Sequence, residues 1–120
     1  MANPNIVAVS SIYANTVMDA DVAASAVSLL TCGSNKVQKI NSLVIANIDG
    51  SSAASIDVWI TRSSADYYLA KTISVPADAT LVVIDKNMGL YLMESDILKI
   101  QASAAGDLSA VCSYEEIDDA

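Results

Sequence analysis

The feature that most limits the fold of this chain is an alternation of apolar residues with a period of two, which runs almost from end to end. Near the C-terminus, for example, Leu108, Ala110, Cys112 and Tyr114 recur at every second position. Successive side chains of a β-strand point to opposite faces, whereas a helical face repeats about every 3.6 residues. The pattern therefore predicts strands.

Turn residues separate these strands at intervals of roughly 8–12 residues, which is typical of a two-sheet sandwich or a small barrel. Asp49-Gly50 predicts a tight hairpin because this pair tolerates positive φ. Pro76 predicts a corner outside the sheet because proline donates no backbone hydrogen bond. We predict an all-β fold, a two-sheet antiparallel sandwich (jelly-roll-like) of about eight strands, with residues 1–120 forming a single domain.

Two segments carry more specific expectations. Residues 36–48 have apolar residues on both faces, with Leu43 and Ile45 on one face and Ile40 and Val44 on the other, which predicts a central strand. Residues 19–30, "DADVAASAVSLL", are compatible with an amphipathic helix that the acidic residues cap. A strand is favoured there because Ser and Val alternate with Ala and the neighbouring segments are all strands.

The charge balance limits the partners of this chain. Fourteen acidic residues against six basic ones give a net charge of −8. Such a chain repels nucleic-acid phosphates and anionic membrane surfaces and favours basic protein partners. No apolar run approaches the roughly 20 residues that span a bilayer. We therefore expect no nucleic-acid or membrane partner, and synthesis in the cytoplasm.

The chain contains no histidine, so the usual proton shuttle near neutral pH is missing. Its four glycines are scattered singly at turns and form no phosphate-binding loop. The paired acids, such as Asp19/Asp21 and Glu94/Asp96, are interpreted as solvated loop charges, with a calcium site or a carboxylate-based enzyme as minor alternatives. We predict no enzyme activity, no catalytic or metal-binding residues, and no cofactor.

Two groups of residues are candidate interface residues. Trp59, Tyr67 and Tyr68 are the first, because aromatic side chains near loops serve protein and carbohydrate interfaces. The alternative is that Trp59 covers the edge of the core. The second group is Tyr114, Glu115 and Glu116, where the last strand meets the acidic end. Residues 115–120 are predicted to form a flexible acidic tail, either a docking tail for a basic neighbour or a frayed end.

Three long stretches carry a resemblance to a known group of proteins. They are "MANPNIV…SIYANT", "KINSLVIANIDGSSAASIDVWI" and "ISVPADATLVVIDK…LYLMESDILKIQASAAGDLSAVCSYEEI". Together they resemble small all-β virion structural proteins of tailed bacteriophages. The resemblance implies a virion structural protein made in the host cytoplasm. Similar small sandwiches act as capsid cement or decoration proteins in some phages, and we expect that role, in which the protein stabilises the outer shell. One alternative is a structural protein of the tail, neck or baseplate. A second alternative, from another functional class, is a glycan-binding module that recognises a receptor.

The apolar content of the chain also predicts self-association. Hydrophobic residues make up 53% of the sequence, and the mean hydropathy is +0.44. The segments "SLVIANI" and "TLVVID" carry few charges, although exposed sheet edges are normally protected by charge, proline or a neighbour. We predict a homo-oligomer. The resemblance alone favours a trimer and adds other virion proteins, such as the major capsid protein, as partners.

The two cysteines generate a prediction about redox conditions. Cys32 and Cys112 are too few for a disulfide framework and too distant in sequence for a metal knuckle, so both are predicted to be reduced packing residues. A reducing agent should then leave the melting temperature unchanged in a thermal unfolding scan. A disulfide closing so long a loop would contribute about 4 kcal/mol in the chain-entropy model. A drop of many degrees with reductant would therefore contradict the prediction.

Overall fold

The structure, a computed structural model, describes residues 7–118, and these form nine strands connected by turns and bends. In chain order the strands are β1 (Ser11–Asp19), β2 (Val27–Thr31), β3 (Lys36–Asn47), β4 (Ala54–Arg62), β5 (Ala65–Val75), β6 (Thr80–Ile84), β7 (Leu90–Leu92), β8 (Ile97–Ala102) and β9 (Leu108–Asp118). The described part of the chain contains no helix, so the helical alternative for residues 19–30 is wrong.

The strands form two antiparallel sheets. The first sheet has the order β1-β9-β3-β6, with β7 also paired to β3, and the second has the order β2-β8-β4-β5. The chain crosses repeatedly from one sheet to the other, and β9 returns to lie between β1 and β3. This arrangement is a jelly-roll-like sandwich, and the predicted fold class is confirmed.

The core lies between the inner faces of the two sheets and consists of branched aliphatic and small residues. Its largest fully buried side chains include Ile40, Leu43, Ile45, Ile56, Ile84, Leu92, Leu98, Ile100 and Leu108. Interiors of this kind are close-packed because aliphatic side chains from facing sheets interdigitate. The apolar alternation at Leu108, Ala110 and Cys112 is confirmed, since all three side chains are buried.

Strand β3 is central, as predicted, because β9 pairs along one side of it and β6 and β7 along the other. The predicted assignment of its faces is only partly right. The pairing of β3 with β9 shifts between Ile40 and Ser42, so Ile40 joins Leu43 in the core. A bulge of this kind inserts one residue and reverses the alternation beyond it. The "SLVIANI" segment therefore lies inside a sheet and has no exposed edge to protect.

The predicted hairpin at Asp49-Gly50 is wrong, because β3 and β4 belong to different sheets. The connection is instead held by the buried Asn47 side chain, whose Nδ2 donates to the carbonyls of Ser52 and Val75, both at 2.9 Å. A tight hairpin does join β4 to β5 through Ser63 and Ser64, which have φ of 52° and 65°. Two consecutive positive φ values are the requirement of the hairpin turn whose twist matches its strands.

The acidic end differs from the prediction for residues 115–118. Strand β9 continues to Asp118 and is paired with β1 on one side and with β3 on the other through Glu115 and Glu116. Two-sided pairing holds these residues in the sheet because their backbone groups are engaged on both sides. Residues 119 and 120 of the predicted tail lie outside the described residues.

Both cysteines are buried and free, as predicted. Burial, reinforced by the carboxylates of Asp96, Glu116 and Glu94, raises the pKa of the Cys32 thiol to about 11. Burial alone raises the pKa of the Cys112 thiol to about 12. Both side chains therefore stay protonated at neutral pH and act as small apolar packing groups. Within residues 7–118, no helix has the length and apolar character needed to cross a membrane.

Candidate interaction surfaces

Two of the three candidate aromatic residues form a stack on the outer face of the second sheet. Trp59 on β4 lies opposite Tyr68 on β5, and their ring centroids are 5.3 Å apart. The ammonium group of Lys71 lies 4.8 Å from the centre of the Tyr68 ring. Trp59 is only 5% exposed, whereas Tyr68 is 47% exposed. The indole is therefore covered within its own sheet, and the Tyr68 ring presents the accessible surface.

Tyr67 lies on the opposite face of β5 from its neighbour Tyr68, because successive residues of a strand alternate. It lines an open cleft of about 310 Å³ together with Ile60, Arg62, Leu90 and Tyr91. These residues come from β4, β5 and β7, so the cleft lies between the two sheets at one end of the sandwich. The structure does not bring Trp59, Tyr67 and Tyr68 together into one aromatic platform.

An ion pair closes this end of the sandwich beside the cleft. Arg62 donates from Nε and from a terminal nitrogen to the two carboxylate oxygens of Asp96, at 2.8 Å and 2.6 Å. The Asp96 side chain is 2% exposed, and it also accepts a hydrogen bond from the Met93 backbone at 2.8 Å. Burial acts to raise the pKa of Asp96, but the bonds from Arg62 and Met93 outweigh it, and the pKa lies below its ordinary value.

Tyr114, Glu115 and Glu116 do not form one surface, since they alternate between the two faces of β9. Tyr114 packs against the core, and burial together with the Glu116 carboxylate raises its pKa. Glu116 accepts a hydrogen bond from Gln38 at 3.0 Å and lies 3.5 Å from Lys36. Glu115 accepts from the Asn41 side chain at 3.4 Å. Both acids are thus engaged within the first sheet.

Three acids from distant parts of the sequence meet at the opposite end of the sandwich. Partial desolvation, the charge of Asp49, a hydrogen bond with Asp49 and the charge of Asp21 raise the pKa of Asp107. Hydrogen bonds from Ser51 hold the pKa of Asp49 below its ordinary value. Asp21, Asp49 and Asp107 are far apart in the sequence, so no local pattern predicts that they come together. In the part of the chain that the structure describes, no group of acidic or cysteine side chains is arranged to hold a metal ion.

The outer face of the first sheet carries two apolar rows that sequence reasoning missed. The cross-strand register aligns the members of the first row, which are Met18, Val111, Val44 and Val82. It also aligns the members of the second row, which are Ile12, Ile117 and Val37. Met18, Val111, Val82 and Ile12 are 68%, 41%, 56% and 54% exposed, whereas Ile117 and Val37 are buried. The sequence indicates these rows only through apolar residues at both odd and even positions of the strands, which place apolar side chains on both faces of the sheet.

Solved structures share this fold at low sequence identity. A chain of the Bacillus endospore appendages, described as disulfide-linked pili, aligns with a TM-score of 0.53 and 15% identity over 92% of this chain and 90% of its own. A chain of the infectious bursal disease virus Gx strain aligns with a TM-score of 0.50 and 12% identity over 91% of this chain and 32% of its own. A chain from the VP2 subviral particle of the same virus aligns with a TM-score of 0.49 and 13% identity over 92% of this chain and 34% of its own.

The present chain therefore spans about a third of the length of the viral chains it matches. At these identities the likeness establishes the fold and nothing finer. No protein-family model matches the chain, and the search of curated proteins returns no match.

The ion pair between Arg62 and the buried Asp96 carboxylate generates a prediction about acid stability. We expect Asp96→Asn to lower the free energy of unfolding at pH 7 by about 1–3 kcal/mol, because hydrogen bonds to a charged group are lost. The folded-state pKa of Asp96 is depressed, so its contribution is present above the unfolded value near 4 and is lost as the pH falls through the folded value. Urea unfolding of both proteins between pH 7 and pH 2 should therefore show the difference narrowing below about pH 4. A constant difference would contradict this assignment.

The acid cluster generates a prediction of opposite sign. Because the folded-state pKa of Asp107 is raised, its ionised form is disfavoured in the folded protein and opposes folding at neutral pH. Asp107→Asn should raise the melting temperature at pH 7, since it removes repulsion with Asp49 and Asp21. The gain should disappear at a pH low enough to protonate the cluster. Asp66→Asn, at a carboxylate outside this cluster, is the control and should not reproduce the gain.

Proposed function

We propose that this chain is a structural component of a tailed-phage virion, and specifically a capsid cement or decoration protein that stabilises the outer shell. The observation that carries the proposal is the fold, a jelly-roll-like sandwich shared with a chain of a virus and with a pilus subunit. The sequence resemblance to virion structural proteins of tailed phages adds the finer assignment. On this proposal the chain works by binding, and it catalyses no reaction.

The distribution of charge supports a place on the outside of the shell. With a net charge of −8, the chain is repelled by packaged DNA and attracted to a basic neighbour. Asp21, Asp49 and Asp107 meet at one end of the sandwich, whereas the two apolar rows cross the outer face of the first sheet. A sandwich with apolar rows on one outer face and an acid cluster at one end suits lateral packing among copies, together with contact to a basic shell protein such as the major capsid protein.

A glycan-recognition role has weaker support from the geometry. Sugar rings stack on exposed aromatic faces, but Trp59 is 5% exposed and Tyr67 and Tyr68 point to opposite sides of β5. The open cleft offers Tyr67 and Tyr91 beside Arg62, whose charge is already neutralised by Asp96. A position in the tail, neck or baseplate remains the main alternative within the virion.

Removal and restoration of the protein would test the cement role. Particles assembled without this chain should retain their shape but lose DNA at a lower temperature, and purified protein added back should restore the original release temperature. Electron microscopy of the restored particles should show its density on the outer capsid surface. An unchanged release temperature, or density only in the tail or baseplate, would contradict the cement role.

A further inference from the structure

The edge strands of the sandwich differ in how well they are protected. The edges are β1, β6 and the three-residue β7 in the first sheet and β2 and β5 in the second. β2 and β6 are only five residues long, and each has a shift in its pairing. Short edges and bulges are the usual devices that prevent unwanted strand pairing.

The long edge strand β5 is also protected. Its pairing with β4 shifts twice between Ile56 and Trp59. Thr72 has a positive φ of 52°, and its backbone N–H donates to the Asp57 side chain at 2.6 Å instead of following the ladder. A β-branched residue at positive φ is rare, and here the hydrogen bond to Asp57 holds Thr72 in this kinked conformation. Together with the positive charge of Lys71, it prevents a straight strand from pairing along β5.

β1 has none of these protections. It pairs with β9 over nine residues with no shift in register. It contains no proline, lysine or arginine, and its one charged residue is the terminal Asp19. Six of its nine residues are exposed, including Ile12, Tyr13 and Met18. A long, flat and apolar edge of this kind is a template for pairing with another strand.

We propose that β1 pairs with β1 of a second copy of this chain, antiparallel and about a two-fold axis at Asn15. In this register Asn15 faces Asn15 of the second copy. Going outward, Ala14 faces Thr16, Tyr13 faces Val17, Ile12 faces Met18, and Ser11 faces Asp19. The two first sheets then join into one continuous sheet.

The partner is a second copy because the sequence of β1, "SIYANTVMD", reads with the same chemical pattern from either end. Its order is polar, two apolar, small, Asn, small, two apolar, polar. An interface about a two-fold axis requires this self-complementarity. Aromatic residues paired with β-branched ones, as in Tyr13 with Val17, are favourable cross-strand neighbours.

The charges of β1 also fit this register. Each Asp19 faces Ser11 of the other copy and lies eight residues along the ladder from the other Asp19. At a rise of about 3.4 Å per residue, the two carboxylates are roughly 27 Å apart. This distance exceeds the screening length of about 8 Å at physiological ionic strength. The two Asp19 carboxylates therefore add little repulsion to the pairing.

The pairing also makes the two apolar rows continuous. Met18 ends the first row of one copy, and Ile12 begins the second row of the same sheet. Because Met18 faces Ile12 of the second copy, the first row of each copy continues directly into the second row of the other. The ends of both rows on β1, at Met18 and Ile12, are then covered by apolar neighbours. This inference does not depend on the virion role, and it gives a two-fold pair instead of the trimer that the resemblance alone favours.

Sedimentation equilibrium of the purified chain, with variants at Asn15, tests the pairing. The wild-type protein should have twice the 12.5 kDa mass of the chain. Asn15→Lys should weaken the dimer at least tenfold, because it places two ammonium groups at directly opposite positions, about 5 Å apart at Cβ. Asn15→Asp should do the same. An equimolar mixture of the two variants should return to the dimer mass, since each lysine then faces an aspartate.

Thr80→Lys, on the exposed edge strand β6 of the same sheet, is the matched control and should leave the dimer intact. Thermal unfolding should show all three variants folded. A wild-type protein that stays monomeric at high concentration, or that sediments as a trimer, would overturn the proposal. So would an Asn15→Lys variant that remains dimeric, or a mixture of the two Asn15 variants that stays monomeric.

Discussion

The structure depends above all on the insertion of β9 between β1 and β3. Its eleven residues supply backbone partners along the whole of β3 and the whole of β1. Their inward side chains, from Leu108 to Cys112, close one wall of the core. Without β9 the first sheet would separate into two pieces, and the inner faces of β3 and of the second sheet would lose the layer that buries them. The acidic end is ordered for the same reason, because Glu115 and Glu116 belong to the strand that holds the sheet together.

Period-two patterning was sufficient to predict the fold class because two faces that must bury aliphatic side chains leave few alternatives to a sandwich. It failed where a bulge shifted the alternation by one residue and where a turn joined strands of different sheets. Because of the bulge after Ile40, this residue lies on the core face together with Leu43. The residue types from Ile40 to Ser42 do not predict such a bulge. The Asp49-Gly50 signal marked a turn correctly, but whether a turn closes a hairpin or crosses to the other sheet depends on the long-range pairing of β4 with β8. Local sequence carries no information on that choice.

The interaction surfaces were less predictable than the fold. The separation of Tyr67 from Tyr68 follows from alternation alone, but the burial of Trp59 depends on the ring opposite it on the next strand. The meeting of Asp21, Asp49 and Asp107 requires the complete topology. The symmetric pattern around Asn15 is visible in the sequence, yet it acquires meaning only when the topology leaves β1 at an edge and makes every other edge short or bulged.

The position of β9 also fixes the order in which the molecule can be built during translation. β1 is the first of the nine strands to leave the ribosome, but its partner β9 is separated from it by all the others. Pairings so distant in sequence have a high contact order and form slowly, because the entropy of loop closure is lost before the stabilising contacts form. Throughout synthesis β1 and β3 lack the strand that will lie between them. The edges of β1 and β3 that face β9 therefore stay unpaired until the last of the nine strands has been made.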